Sequence, residues 1–154
     1  MKKRMATKEM KTVYLSEVYG ESAFRSAFIL SSGNKKRKAD LLWRLEKQTK
    51  EKVIKYYEHE NMVLPLSAFS VMKGSVIGFV FPFFPWSLVM NIILLETKEY
   101  LALFERLEME SDESNKIFFK YLVDHEMAIR TFAQKELEKK PKEAEQVIID
   151  LLSS

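Results

Sequence analysis

Residues 74–95 carry no charged side chain. On length alone such a run meets the requirement for a membrane span, roughly 20 apolar residues. Its centre, Phe81-Pro82-Phe83-Phe84-Pro85, argues against one. Proline lacks a backbone donor and clashes with the preceding turn, so a straight helix does not pass through Pro82 and Pro85. What remains is two shorter apolar pieces of the size of core helices. The run therefore predicts a buried crossover between two halves of the chain. Peripheral contact with a membrane or an apolar ligand through residues 74–95 is the alternative, and a true span ranks last.

The rest of the chain has few places to turn. With only 4 Gly and 4 Pro in 154 residues, an all-β fold lacks its turns, and long helices are expected. Helical spacing of apolar residues runs over 7–30 and ends at Ser31-Ser32-Gly33-Asn34, a C-cap signal. Further helices are expected over 35–60, 66–81, 85–109, 113–138 and 142–152. Asn61 and Pro65 close the second, Ser111-Asp112 caps the fifth, and Pro141 opens the last. The predicted fold class is all-α. It comprises two antiparallel helical hairpins joined by a long helical crossover, with a short C-terminal helix, in a single domain over 1–154 and a core bundle over about 7–138.

Composition removes several chemistries. The chain has no cysteine, which excludes disulfides, thiolate metal sites and thiol nucleophiles. Only His59 and His125 offer imidazoles, so a histidine-rich site cannot form. The net charge of +3 is weak and concentrates in residues 1–11 and in Lys35-Lys36-Arg37-Lys38. That run reads as a solvated helix start, and no nucleic-acid partner is expected. The first residues, MKKRMATKEMK, lack the apolar stretch of a signal peptide, which predicts a cytoplasmic chain. Neither a glycine-rich phosphate loop nor a hydrolase triad is present.

A helix advances by about 100° per residue, so i, i+4, i+7 and i+11 share one stripe. The stripes so defined are Glu17, Glu21, Phe24 and Phe28; Leu42, Glu46, Thr49 and Val53; Leu88, Ile92, Leu95, Glu99 and Leu103; and Phe118, Leu122, His125, Ile129 and Phe132. Each long helix thus places an ionisable group among core residues, where an unpaired charge costs several kcal/mol. Counted from the intervening loops, Glu21 matches Glu46 in depth, Glu99 matches His125, and the two levels nearly coincide. Carboxylates and one imidazole at mid-depth are the donor set of an Fe or Mn site. The competing reading puts these glutamates on the flanks, paired with Arg25, Arg44, Arg106 or Arg130. His59, in Glu58-His59-Glu60 at a helix end, reads as a dipole partner, and Tyr14, Tyr56, Tyr57 and Tyr121 as core or boundary aromatics.

The order Tyr14-x-x-Glu17-x-x-Gly20-Glu21, Leu45-Glu46-x-x-Thr49, Glu99 and His125-Glu126-x-x-x-x-x-Phe132-x-x-x-Glu136 resembles the ferritin-like superfamily, over about residues 12–137. That superfamily includes ferritins, rubrerythrins and di-iron carboxylate hydroxylases. The match rests on pattern and topology rather than on one short motif. The resemblance implies a four-helix bundle with one Glu on each of two helices and Glu-x-x-His on the other two. It assigns Glu21 or Glu17 to the first slot, Glu46 to the second helix, Glu99 or Glu96 to the third and His125 to the last. Thr49 stands in place of one histidine and Leu122 in place of one glutamate, with Glu126, Glu17 or Glu136 as substitutes.

Three functions are expected on these grounds. The first is an Fe- or Mn-binding protein, with an oxidoreductase acting on iron, oxygen, peroxide or an apolar substrate as its active form. The second is a ferritin-like scaffold without metal or catalysis. The third is a helical bundle that touches membranes or lipids peripherally. Bundles of this kind often form homodimers.

Overall fold

Helix boundaries fall where glycine, proline and capping residues punctuate the chain. The computed structural model describes the backbone of residues 2–154 and the side chains of residues 7–154. The basic residues at the start of the chain thus lie largely outside the described side chains. The helices are α1 (Lys2–Leu30), α2 (Gly33–His59), α3 (Ala68–Val80), α4 (Trp86–Glu110), α5 (Glu113–Leu137) and α6 (Pro141–Leu152), with a short 3-10 turn at Phe81–Phe83. No strand occurs among the described residues. No helix among them is long and apolar enough to cross a membrane.

Each stop has a local cause. Gly33, at φ +55°, reverses the chain between α1 and α2, a conformation open to glycine at little cost. Asn61 and Lys139 take the same left-handed region at the ends of α2 and α5. The next amides, Met62 N and Lys140 N, reach back to Tyr57 O and Lys135 O, each at 2.9 Å, and close the last turn. Asp112 caps α5 by accepting from Asn115 N at 3.1 Å, while Pro141 starts α6.

Packing divides the chain into two compact units, up to Phe83 and from Phe84 onward. In the first unit α1 is central, with α2 antiparallel beside it and α3 on another face. Helix α3 runs parallel to α1: Gly74 faces the Tyr19 carbonyl and Gly78 the Ala23 carbonyl. A Cβ on Gly78 would stand 1.9 Å from Ala23 O, and one on Gly74 2.3 Å from Tyr19 O, so only glycine permits this backbone approach. In the second unit α5 is central, with α4 and α6 against it. Trp86 Nε1 donates to Glu136 Oε2 at 2.7 Å, tying the start of α4 to the end of α5.

The expected buried crossover is corrected here. Helix α3 buries only Gly74 and Gly78, and Phe81 comes after them, facing inward. Phe69, Met72, Val76, Phe79 and Phe83 all stand exposed. The physical reason is that α3 seats through its glycine edge. Its larger side chains, spaced three and four residues apart, are left on the opposite side.

Candidate metal centre

In the first unit the two central helices bring two carboxyls together. The α2 stripe is buried as its spacing predicts, with Leu42, Glu46, Thr49 and Val53 all in the core. Helix α1 contributes Glu17, only 2% exposed, between Val13 and Val18. The ligating oxygens of Glu17 and Glu46 lie within 4.8 Å of each other. Glu17 hydrogen-bonds to Glu46 and to Ser16. Burial pushes the Glu17 carboxyl up to about 8, the two hydrogen bonds opposing that rise only in part. At neutral pH the pair therefore keeps a proton between two acids that cannot both ionise cheaply.

Gly20 makes the room. A Cβ there would stand 2.5 Å from Glu46 Cδ and 2.6 Å from each of its oxygens. The missing side chain of α1 is the space that the Glu46 carboxyl occupies. Tyr14 and Tyr57 pack against each other with ring centroids 5.8 Å apart and planes tilted by 56°. Burial raises Tyr57 to about 12, with Tyr14 adding to the shift, so its phenol stays protonated.

Glu21 does not join this pair. It is only partly buried and binds Lys50 of α2, as the flank reading expects though with a lysine in place of an arginine. The helix α1 has neighbours on two sides, so its buried arc is wide and Glu17, the alternative for this slot, is the deeper residue.

In the second unit, Leu122, His125, Ile129 and Phe132 of α5 are all buried on the expected stripe. His125 is 1% exposed, and burial holds its imidazole down at about 3, so the ring is neutral at physiological pH. A neutral imidazole is the form that ligates metals. Glu126 is buried beside it in sequence, although it lies off the centre of that stripe. Glu99 is a correction: it is exposed, and so is Glu96. The buried stripe of α4 is Met90, Ile93, Thr97, Phe104 and Leu107. Leu88 and Leu95, which the expected stripe placed inside, are exposed. Level with the middle of α5, the core residue of α4 is thus Thr97. Its hydroxyl donates to Ile93 O at 2.7 Å and accepts from Arg130 Nη1 at 3.0 Å, while Arg130 also donates to Leu94 O at 2.7 Å. Sequence reasoning passed over Thr97, whose only signal was its i+4 and i+7 spacing from Ile93 and Met90.

The remaining assignments are quickly placed. Glu136, a substitute ligand by sequence, holds the Trp86 indole. His59 is exposed at the end of α2 and pairs with Glu60 at 3.0 Å. Thr49 and Leu122, which stand where the resemblance expects a histidine and a glutamate, are each fully buried. No protein-family model, curated protein or solved structure matches this chain.

Proposed function

We propose that this chain is a ferritin-like metal-binding protein in which the buried carboxyls of Glu17 and Glu46 hold one Fe or Mn ion. The observation that carries this reading is the buried Glu17–Glu46 pair, seated where Gly20 leaves space. A cation satisfies such a pair better than a shared proton does, because it neutralises both carboxylates at once. Hard carboxylate oxygens suit Mn, and the ferritin-like resemblance extends the choice to Fe. Thr49 stands where the resemblance expects a histidine, and Glu99 is exposed, so the proposal is for one ion. Bound Fe or Mn supplies one-electron redox chemistry, which is the route by which the site would serve an oxidoreductase.

Anaerobic loading with Fe(II) or Mn(II), desalting and elemental analysis test the proposal. Wild type is expected to retain about one ion per chain, from the single donor set. Glu17→Gln and Glu46→Gln lose it, and Glu99→Gln keeps it, all with native circular dichroism. A folded wild type that retains no metal, or a Glu46→Gln variant that retains it in full, refutes the assignment.

One observation favours a second reading. The raised Glu17 pKa lets the pair hold a proton with no cation at all, as a metal-free scaffold would. That reading expects Glu46→Gln to be folded and as stable as wild type whether or not metal is supplied.

A further inference from the structure

The carboxyls of Glu17 and Glu46 have a third carboxyl and one amine for neighbours. Glu21 follows Glu17 by one turn on α1, and Lys50 follows Glu46 by one turn on α2. Residues so spaced stand about 6 Å apart, Cβ to Cβ, on one face of their helix. Across the two helices the four side chains pair off. Glu17 hydrogen-bonds to Glu46 in the core, while Lys50 Nζ donates to Glu21 Oε2 nearer the rim. Glu17 is 2% and Glu46 5% exposed, against 18% for the Glu21 side chain and 25% for that of Lys50. The ion pair thus lies between solvent and the buried acids.

Charge gives this arrangement a consequence. Ions persist in a core where their charges cancel. With Glu17 and Glu46 both ionised, a divalent cation held by them leaves no net charge. A third carboxylate turned toward that ion would bring the sum to −1 and favour an ion of higher charge. Glu21, one turn from Glu17, has the reach to be that third carboxylate. The Lys50 ammonium keeps it at the rim and cancels its charge.

We propose that Lys50 is the specificity-determining residue of the Glu17–Glu46 site. By holding Glu21 aside it leaves two carboxylates for the ion, and so selects a divalent one over a trivalent one. This role rests on the metal-binding reading of the buried pair and adds to it the class of ion admitted. Lys50 acts through Glu21 and is a positioning residue. An ion pair that served stability alone would make the same contact, yet its loss would leave the preference between ions unchanged. That difference separates the two.

Titration calorimetry of the full chain with Mn(II) and with Tb(III), a trivalent probe that also favours oxygen donors, tests it. Lys50→Gln is expected to bind Mn(II) about tenfold more tightly than wild type, and Tb(III) to gain by a larger factor, because the attraction scales with the charge of the ion. Lys50→Arg keeps the positive charge and behaves as wild type with both ions. Glu21→Gln leaves the ammonium without its carboxylate and weakens Mn(II) binding about tenfold. Lys50→Gln with Glu21→Gln removes both charges and falls between the two single variants. Lys55→Gln, an exposed cation farther along α2, controls for the change in net charge and shifts Mn(II) affinity by less than about twofold. Circular dichroism and urea midpoints check that each variant is folded. The assignment is overturned if Lys50→Gln leaves the ratio of Tb(III) to Mn(II) affinity where wild type has it, or if Lys50→Arg matches Lys50→Gln. It is equally overturned if the double variant binds as tightly as Lys50→Gln alone, since Glu21 would then play no part. Should neither wild type nor any variant bind Mn(II), the metal-binding reading fails and this role with it. Wild-type binding that Lys50→Gln does not tighten overturns this role alone.

Discussion

Gly20 and Glu46 occupy one side chain's worth of space between them: a methyl group on the first would stand 2.5 Å from Cδ of the second. The glutamate extends across the helix interface because the glycine does not. Gly20→Ala therefore pushes the Glu46 carboxyl aside. Overpacking costs about 1–3 kcal/mol, and the gain in helix propensity returns up to about 1 kcal/mol. The variant is expected to lose about 1 kcal/mol in urea unfolding and to bind Mn(II) more weakly.

The glycines of α3 face backbone instead. Ala23 O cannot swing away as a carboxyl can, so Gly78→Ala must push α3 and α1 apart. Its cost is expected at the upper end of overpacking, about 3 kcal/mol, and larger than that of Gly20→Ala. The same urea titration checks the order. Equal midpoints for the two variants would show that the α1–α3 approach is not tight.

Glu17 links stability to pH in an unusual direction for an acid. Its folded value of about 8 lies above the ordinary 4.5, so between those values the folded state holds more protons than the unfolded one. The metal-free protein's contribution from this group is present in full below pH 4.5 and is lost as pH rises through about 8. Glu17→Gln removes that loss. Metal-free melting curves are expected to show the variant gaining on wild type as pH climbs across that window.

The same proton competes with a cation. While Glu17 is protonated, Mn(II) must displace that proton, so apparent affinity rises about tenfold per pH unit up to about pH 8 and then levels off. Calorimetry in buffers of different ionisation enthalpy reads the released proton directly. A pH-independent affinity would mean that Glu17 is not displaced.

His125 acts on the acid side. Its folded value of about 3 lies below the ordinary 6.5, so its contribution is present above pH 6.5 and is lost as pH falls toward 3. His125→Gln is expected to flatten the decline of wild-type stability across that range, measured as the difference between the two proteins at each pH.

Legibility in the sequence tracked how polar the far side of each helix is. Helices α2 and α5 carry charges around their outer faces, so the stripes through Glu46 and His125 were readable and are buried. The first turns of α4 are apolar nearly all round, and nothing fixed which side faced inward. Level was readable there and direction was not, which is how Glu99 displaced Thr97 in the expected site. On α1, contact with both α2 and α3 widens the buried arc, and neighbouring positions such as Glu17 and Glu21 compete for one slot. Helix α3 was the hardest to read, because it packs through glycines. A surface with no side chains leaves no mark in a hydrophobic pattern, while the residues that do leave one, Phe69 to Phe83, face outward.

That glycine seam has a consequence for how the first unit survives cutting. The link between α2 and α3 is an exposed loop around Asn61, Val63 and Leu66, the natural place for a protease to nick the chain. Helix α3 would then be joined covalently only to the C-terminal half of the chain, yet its grip on α1 lies in the close passage of two backbones and would be untouched. A nicked chain should run as one particle in native electrophoresis and as two fragments in detergent.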